Sequence, residues 1–115
     1  MKKQLKGKTA FKSDKIIKGK ARIVSNKEDI EKVQEGDIII TDITNAEFIG
    51  QLKNSGALKK CSALVTEEGG ILSHASIAAR DLKIPCIVGV KNASKLIKDN
   101  QEVKVDTNKG LIKFL

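Results

Sequence analysis

Residues 66–80 read TEEGGILSHASIAAR and contain His74, the one histidine of this 115-residue chain. An imidazole with an ordinary pKa of about 6.5 is mostly uncharged at neutral pH and keeps a free nitrogen lone pair, so it is a competent nucleophile. Ser73 has the chemistry of an N-cap and places His74 in the first turn of a helix, where unpaired backbone N–H groups and the helix dipole favour an anion. Gly69 and Gly70 permit a tight turn that can offer further N–H groups to the same anion. Either Glu67 or Glu68 can hold the second ring nitrogen, and the residues alone do not choose between them. A lone histidine after a glycine turn is also a common structural feature, so local chemistry makes His74 a candidate and no more.

The helix that must carry it is written in SHASIAARDLK, where Ala75, Ala78, Ala79 and Leu82 share one stripe and leave His74 on the flank. Pro85 cannot continue that helix and biases Ile84 towards extended backbone, so IPCIVGV reads as a buried strand. Upstream, GKARIVS alternates as a half-buried strand and GDIIIT is a β-branched run suited to a sheet interior, with at most one helical turn between them. TNAEFIGQLKNSG reads as a helix opened by a Thr44–Glu47 capping box and closed near Gly56. CSALVT is a strand, SKLIK a helical turn, and EVKVD and GLIKFL two strands around TNKG. Strands and helices alternate through the middle with β-rich ends, which predicts an α/β fold in a single small sandwich.

The bulk properties narrow the partners. One domain of this length has room for one core but not for separate nucleotide and substrate domains. No apolar run approaches the roughly 18 residues of a membrane span and no signal-peptide pattern follows the charged start, so the expectation is a cytoplasmic protein with no membrane contact. Residues 1–20 hold eight lysines and one acid, leaving 14 basic and 13 acidic residues over 21–115. The net charge of +8 therefore reads as a basic N-terminal segment, residues 1–17, on a nearly neutral domain, residues 18–115. That segment is expected to be a solvated tail dispensable for folding, and 3% aromatic content argues against nucleic-acid stacking. Cys61 and Cys86 sit in apolar stretches without CxxC spacing, which suits reduced, packed thiols and no metal site.

From Gly36 to Ile112, and more loosely from Gly19, the chain resembles the phosphohistidine swivelling (mobile) domain of enzymes that make or use phosphoenolpyruvate: phosphoenolpyruvate synthase, pyruvate phosphate dikinase and enzyme I of the sugar phosphotransferase system. The resemblance rests on GDIIITDIT, on ALVTEEGGILSHASIAARDLKIPCIVGV with its GGxxSHxxIxAR block, and on VKVDTNKGLI. It implies a β/β/α sandwich in which His74 is phosphorylated on a ring nitrogen, Gly69, Gly70, Ser73 and Ala75 stabilise the phosphoryl group, and Thr44, Glu67, Glu68 and Arg80 are the candidates for orienting it. It implies a free-standing phosphocarrier subunit whose partners are an ATP-grasp nucleotide-binding protein or other donor and a phosphoenolpyruvate/pyruvate barrel. Such a domain binds no cofactor itself, magnesium residing on the partners, and is inactive without them. The alternative is a non-catalytic swivelling domain acting as an interaction or regulatory module.

Three positions depart from the family's pattern. Leu72 stands where a threonine, in some dikinases a regulatory phosphorylation site, is frequent; Asn45 replaces a frequent proline; and Lys83 replaces a glycine that commonly ends the histidine-bearing helix. The last means that the helix must close without the residue that enters the left-handed region most cheaply.

Overall fold

The computed structural model describes residues 4–115; Met1 to Lys3, the first residues of the expected basic segment, lie outside the described residues. The chain runs β1 (Gln4–Lys6), β2 (Lys8–Phe11), β3 (Ile17–Val24), α1 (Lys27–Ile30), β4 (Ile38–Thr41), α2 (Ala46–Asn54), α3 (Ala57–Lys60), β5 (Ala63–Thr66), α4 (His74–Leu82), β6 (Cys86–Val88), α5 (Ala93–Leu96), β7 (Glu102–Asp106) and β8 (Leu111–Phe114). The strand order is β1-β8-β7-β3-β4-β5-β6-β2. Strand β3 belongs to both halves: Ile17 to Lys20 pair antiparallel with β7, and Ala21 to Val24 pair parallel with β4.

The second half of β3, β4, β5 and β6 are parallel neighbours laid down in sequence order. Parallel crossovers are right-handed, so stepping always in one direction puts α2, α3 and α4 on one face of this sheet. Residue alternation then builds two cores. In β4, Ile39 packs under the helices with Leu64 and Cys86, while Ile38 and Ile40 face Val103, Val105 and Ile112 of the other half-sheet. The result is the expected three-layer β/β/α sandwich. At the β3 switch, the buried Arg22 donates from Nε to Asp37 at 2.9 Å and from a terminal guanidinium nitrogen to Asp99 at 3.0 Å. The Asp37 bond foremost raises the guanidinium pKa against the opposing effect of burial, which keeps the charge paired inside the fold.

Three sequence expectations are corrected. Residues 4–11 are not a tail outside the domain: β1 pairs with β8 and β2 pairs with β6, the two outermost positions of the sheet order. Gly7 alone joins them, and its N–H donates to the Gly110 carbonyl at 2.9 Å. A Cβ at Gly7 would lie 2.5 Å from the Val88 carbonyl oxygen and from a Val90 methyl, so only glycine lets the chain pass from one half-sheet to the other here. Lysines hid this ribbon in the sequence because its outer positions are solvated while Leu5 is buried inward. The cap of α2 is Asn45, whose side chain accepts from the Phe48 N–H at 2.8 Å, and not Thr44. A short helix, α3, follows Gly56, where the sequence predicts only a helix end.

Candidate functional site

Helix α4 follows the carboxyl end of β5, the side of a parallel sheet on which α/β folds place ligands. Ser73 is its N-cap, with extended backbone and a side-chain oxygen accepting from the Ser76 N–H at 3.3 Å. Ala75, Ser76, Ala78 and Ala79 are buried, and these small side chains bring the helix close to the sheet. Lys83 closes the helix at φ 57°, ψ 48°, so the lysine itself takes the left-handed cap conformation that glycine enters most cheaply.

His74 is exposed, and among the described residues its ring has no hydrogen-bond partner. It stands in a collar of exposed apolar groups: Leu72 at 81% exposure, Ile71 at 52% and Ile77, one turn along α4, at 46%. The Ile77 N–H reaches the Ser73 carbonyl at 3.0 Å and the Ser76 N–H is capped. Of the remaining donors of the first turn, the amide of the exposed His74 is open to an anion beside the ring, whereas Ala75 is fully buried.

The preceding loop is held by its own bonds. Thr66 donates from Oγ1 to the Glu68 carbonyl at 2.7 Å, and the Glu67 N–H donates to the Thr41 carbonyl at 3.0 Å. Gly69 adopts φ 101°, and a Cβ there would come within 3.0 Å of the Ser73 side chain. Gly70 lies beside the helix start as expected, but it turns its carbonyl to the first turn: that oxygen accepts from the Ser73 N–H at 3.0 Å and from Ser76 Oγ at 2.7 Å. Its contribution is therefore an anchor for the loop.

The structure brings His74, Ser73, Ala75, Gly69 and Gly70 together and leaves the orienting candidates elsewhere. The Glu67 carboxylate is taken by the hydroxyl and N–H of Ser94 at the start of α5, so it does not hold the imidazole. Glu68 is exposed with no side-chain bond to His74. Arg80 is half-buried further along α4, where it acts electrostatically on Cys86, and Thr44 lies just ahead of the α2 cap. Ser76, which sequence reading passed over, is the added site residue; its signal was a hydroxyl within an otherwise alanine-lined buried stripe. Burial pushes the Cys61 and Cys86 thiols up to about 12, so neither is a thiolate nucleophile at neutral pH. No group of three or more His, Cys, Asp or Glu among the described residues is arranged to hold a metal ion. Among the described residues no helix is long and apolar enough to cross a membrane.

An α/β sandwich that offers one solvent-facing imidazole at the start of a helix is the class of domain these residues build. Residues 33–110 match the family described as PEP-utilising enzyme, mobile domain, and the chain belongs to that family. It is 42% identical over 94 residues to phosphoenolpyruvate synthase of Pyrococcus furiosus, covering 82% of this chain and 11% of that protein. Over 102 residues it is 37% identical to rifampicin phosphotransferase of Bacillus subtilis, covering 89% of this chain and 11% of that protein. The chain thus spans only a small part of the curated relatives it matches. Among solved structures, Enzyme I (nEIt) superposes with a TM-score of 0.60 at 25% identity over 74% of this chain and 33% of that one. Aconitase X of Thermococcus kodakaraensis shares the fold at a TM-score of 0.65 and 18% identity, over 97% of this chain and 98% of that one.

Proposed function

We propose that His74 accepts a phosphoryl group and carries it between two partner sites, an ATP-grasp-type or other phosphoryl donor and a phosphoenolpyruvate/pyruvate barrel, in the cytoplasm. The observation that carries the reading is the exposed imidazole at the first turn of α4, in a chain of this family. The ring nitrogen's lone pair attacks phosphorus in line; the N–P bond forms as the P–O bond to the leaving oxygen breaks, and that bond's electron pair departs with the oxygen. The His74 amide, at the positive end of the α4 dipole, holds a transferred oxygen while the domain moves. Magnesium and most of the transition-state charge stabilisation come from the partners. The Leu72, Ile71 and Ile77 collar supplies apolar surface for a partner cleft to close around the ring and exclude water.

The test is labelling with the cognate donor and a labelled phosphoryl substrate. Label should appear on the chain in an acid-labile, alkali-stable bond and vanish in His74→Ala, which should remain folded because the side chain is exposed. Undiminished labelling of folded His74→Ala overturns the assignment. Absence of any label with a donor that demonstrably binds would instead leave the domain as an interaction module.

A further inference from the structure

The outer face of the half-sheet β1-β8-β7-β3 carries a row of like charges across three adjacent strands. Lys18 lies opposite Lys104, Lys104 opposite Lys113, and Lys113 opposite Gln4. Their sequence neighbours Val103, Val105, Ile112 and Leu5 point into the core, so the lysines face outward. Adjacent strands stand roughly 4.8 Å apart, which puts the three stems within about 10 Å. Lys20 and Lys6 lie on the same face, one pleat to either side of the row. Among the described residues none of these five lysines is in an ion pair. Asp106, on that face, is buried and spends its carboxylate on the Asn108 and Lys109 N–H groups. Like charges directly opposite across strands destabilise a sheet, so the row costs the free domain stability that alternating charges would not.

We propose that this lysine row is a docking surface for an acidic face of a partner protein. A polyanion such as single-stranded RNA is less well matched: the row has no arginine to grip phosphate bidentately, and Phe114 packs against the core, leaving no exposed aromatic platform on it. The face is also not uniformly cationic. Glu102, opposite Lys20, would repel a phosphate backbone or an anionic bilayer, whereas a protein surface can set a cation against it. Helices α2, α3 and α4 and the row lie on opposite sides of the sandwich, so a partner seated here leaves His74 uncovered. The proposal does not rest on phosphoryl transfer, and its test measures none.

Fluorescently labelled poly-L-glutamate is titrated with the chain and followed by anisotropy at two salt concentrations. Binding should weaken with salt, and the triple substitution Lys18→Gln, Lys104→Gln, Lys113→Gln should lower affinity at least tenfold. A control of equal charge on exposed lysines elsewhere, Lys53→Gln, Lys59→Gln, Lys95→Gln, should change it less than twofold. Equal losses in the two triples would reduce the effect to net charge and overturn the proposal. So would tighter binding of the wild type to an oligouridylate or to phosphatidylserine vesicles than to polyglutamate. Lys104→Gln alone should raise the urea midpoint of unfolding; a fall would show the row to be structural and likewise overturn it.

Discussion

The hydroxyl of Ser76, buried in the alanine face of α4, donates to the carbonyl oxygen of Gly70 at 2.7 Å and accepts from the Ser73 hydroxyl at 3.1 Å. One side chain therefore ties the glycine loop, the N-cap and the first helical turn into a unit that fixes where the His74 amide points. Local side-chain bonds of this kind hold a backbone that packing alone would leave free to shift.

Ser76→Ala should cost about 1 kcal/mol of stability, the net worth of a typical hydrogen bond, because the Gly70 carbonyl keeps its second donor at Ser73. Phosphoryl acceptance at His74 should fall several-fold with no change in the chemical lability of the product. Urea denaturation and the rate of label incorporation measure the two effects; unchanged incorporation in a destabilised variant would restrict Ser76 to packing.

Deleting residues 1–11 should unfold the domain or drive it to associate. The deletion removes Leu5 from the inter-sheet core and exposes the ladder edges of both β8 and β6, and open edges recruit other chains. Gly7→Val should mimic it through the 2.5 Å approach to the Val88 carbonyl. Circular dichroism and size-exclusion chromatography decide the matter, and a monomeric, cooperatively melting truncation would show the ribbon to be dispensable.

These cases mark what sequence could and could not reveal. The α4 site was legible because its signals are local: a cap, small residues in a helical stripe and a proline stop all act within a few positions. The apolar β-branched run of β4 was legible for the same reason. The N-terminal ribbon was not, since it pairs with β6 and β8, strands far from it in sequence, and its lysine-rich outer face imitates a solvated tail. The fate of Glu67 was hidden likewise, because Ser94 lies 27 positions away on another element. Side-chain partners set by tertiary approach leave no trace in spacing.

The two thiols give the stability a defined alkaline limit. Burial raises both from an ordinary 9.0 to about 12, so the folded state holds protons that the unfolded chain releases. Below pH 9 both states are protonated and this contribution is constant; as pH rises from about 9 towards 12 the unfolded state binds fewer protons, and stability falls. The slope for a single fully shifted thiol is about 1.4 kcal/mol per pH unit, an upper bound for each here. Cys86→Ala should flatten the decline between pH 9 and 11, although the cavity it leaves lowers stability throughout. Urea midpoints across that range test it, and parallel curves for wild type and variant would refute the buried-thiol account.

Leu72 separates docking from chemistry. It is the most exposed large apolar side chain of the collar, two residues before His74, and it contributes no hydrogen bond to the cap or the loop. In the free domain Leu72→Asp should therefore change stability by less than about 0.5 kcal/mol. A partner cleft that closes on the collar has to desolvate that carboxylate, and a charge left unpaired in such a contact is costly. Transfer measured with saturating partner should then proceed at nearly the wild-type rate, while the partner concentration giving half-maximal rate rises about tenfold, corresponding to about 1.4 kcal/mol. His74→Ala behaves oppositely, removing transfer at every partner concentration. If Leu72→Asp lowered the saturating rate and left the half-maximal concentration unchanged, the collar would be acting on the reacting group and not on the encounter, and its role as a docking rim would be wrong.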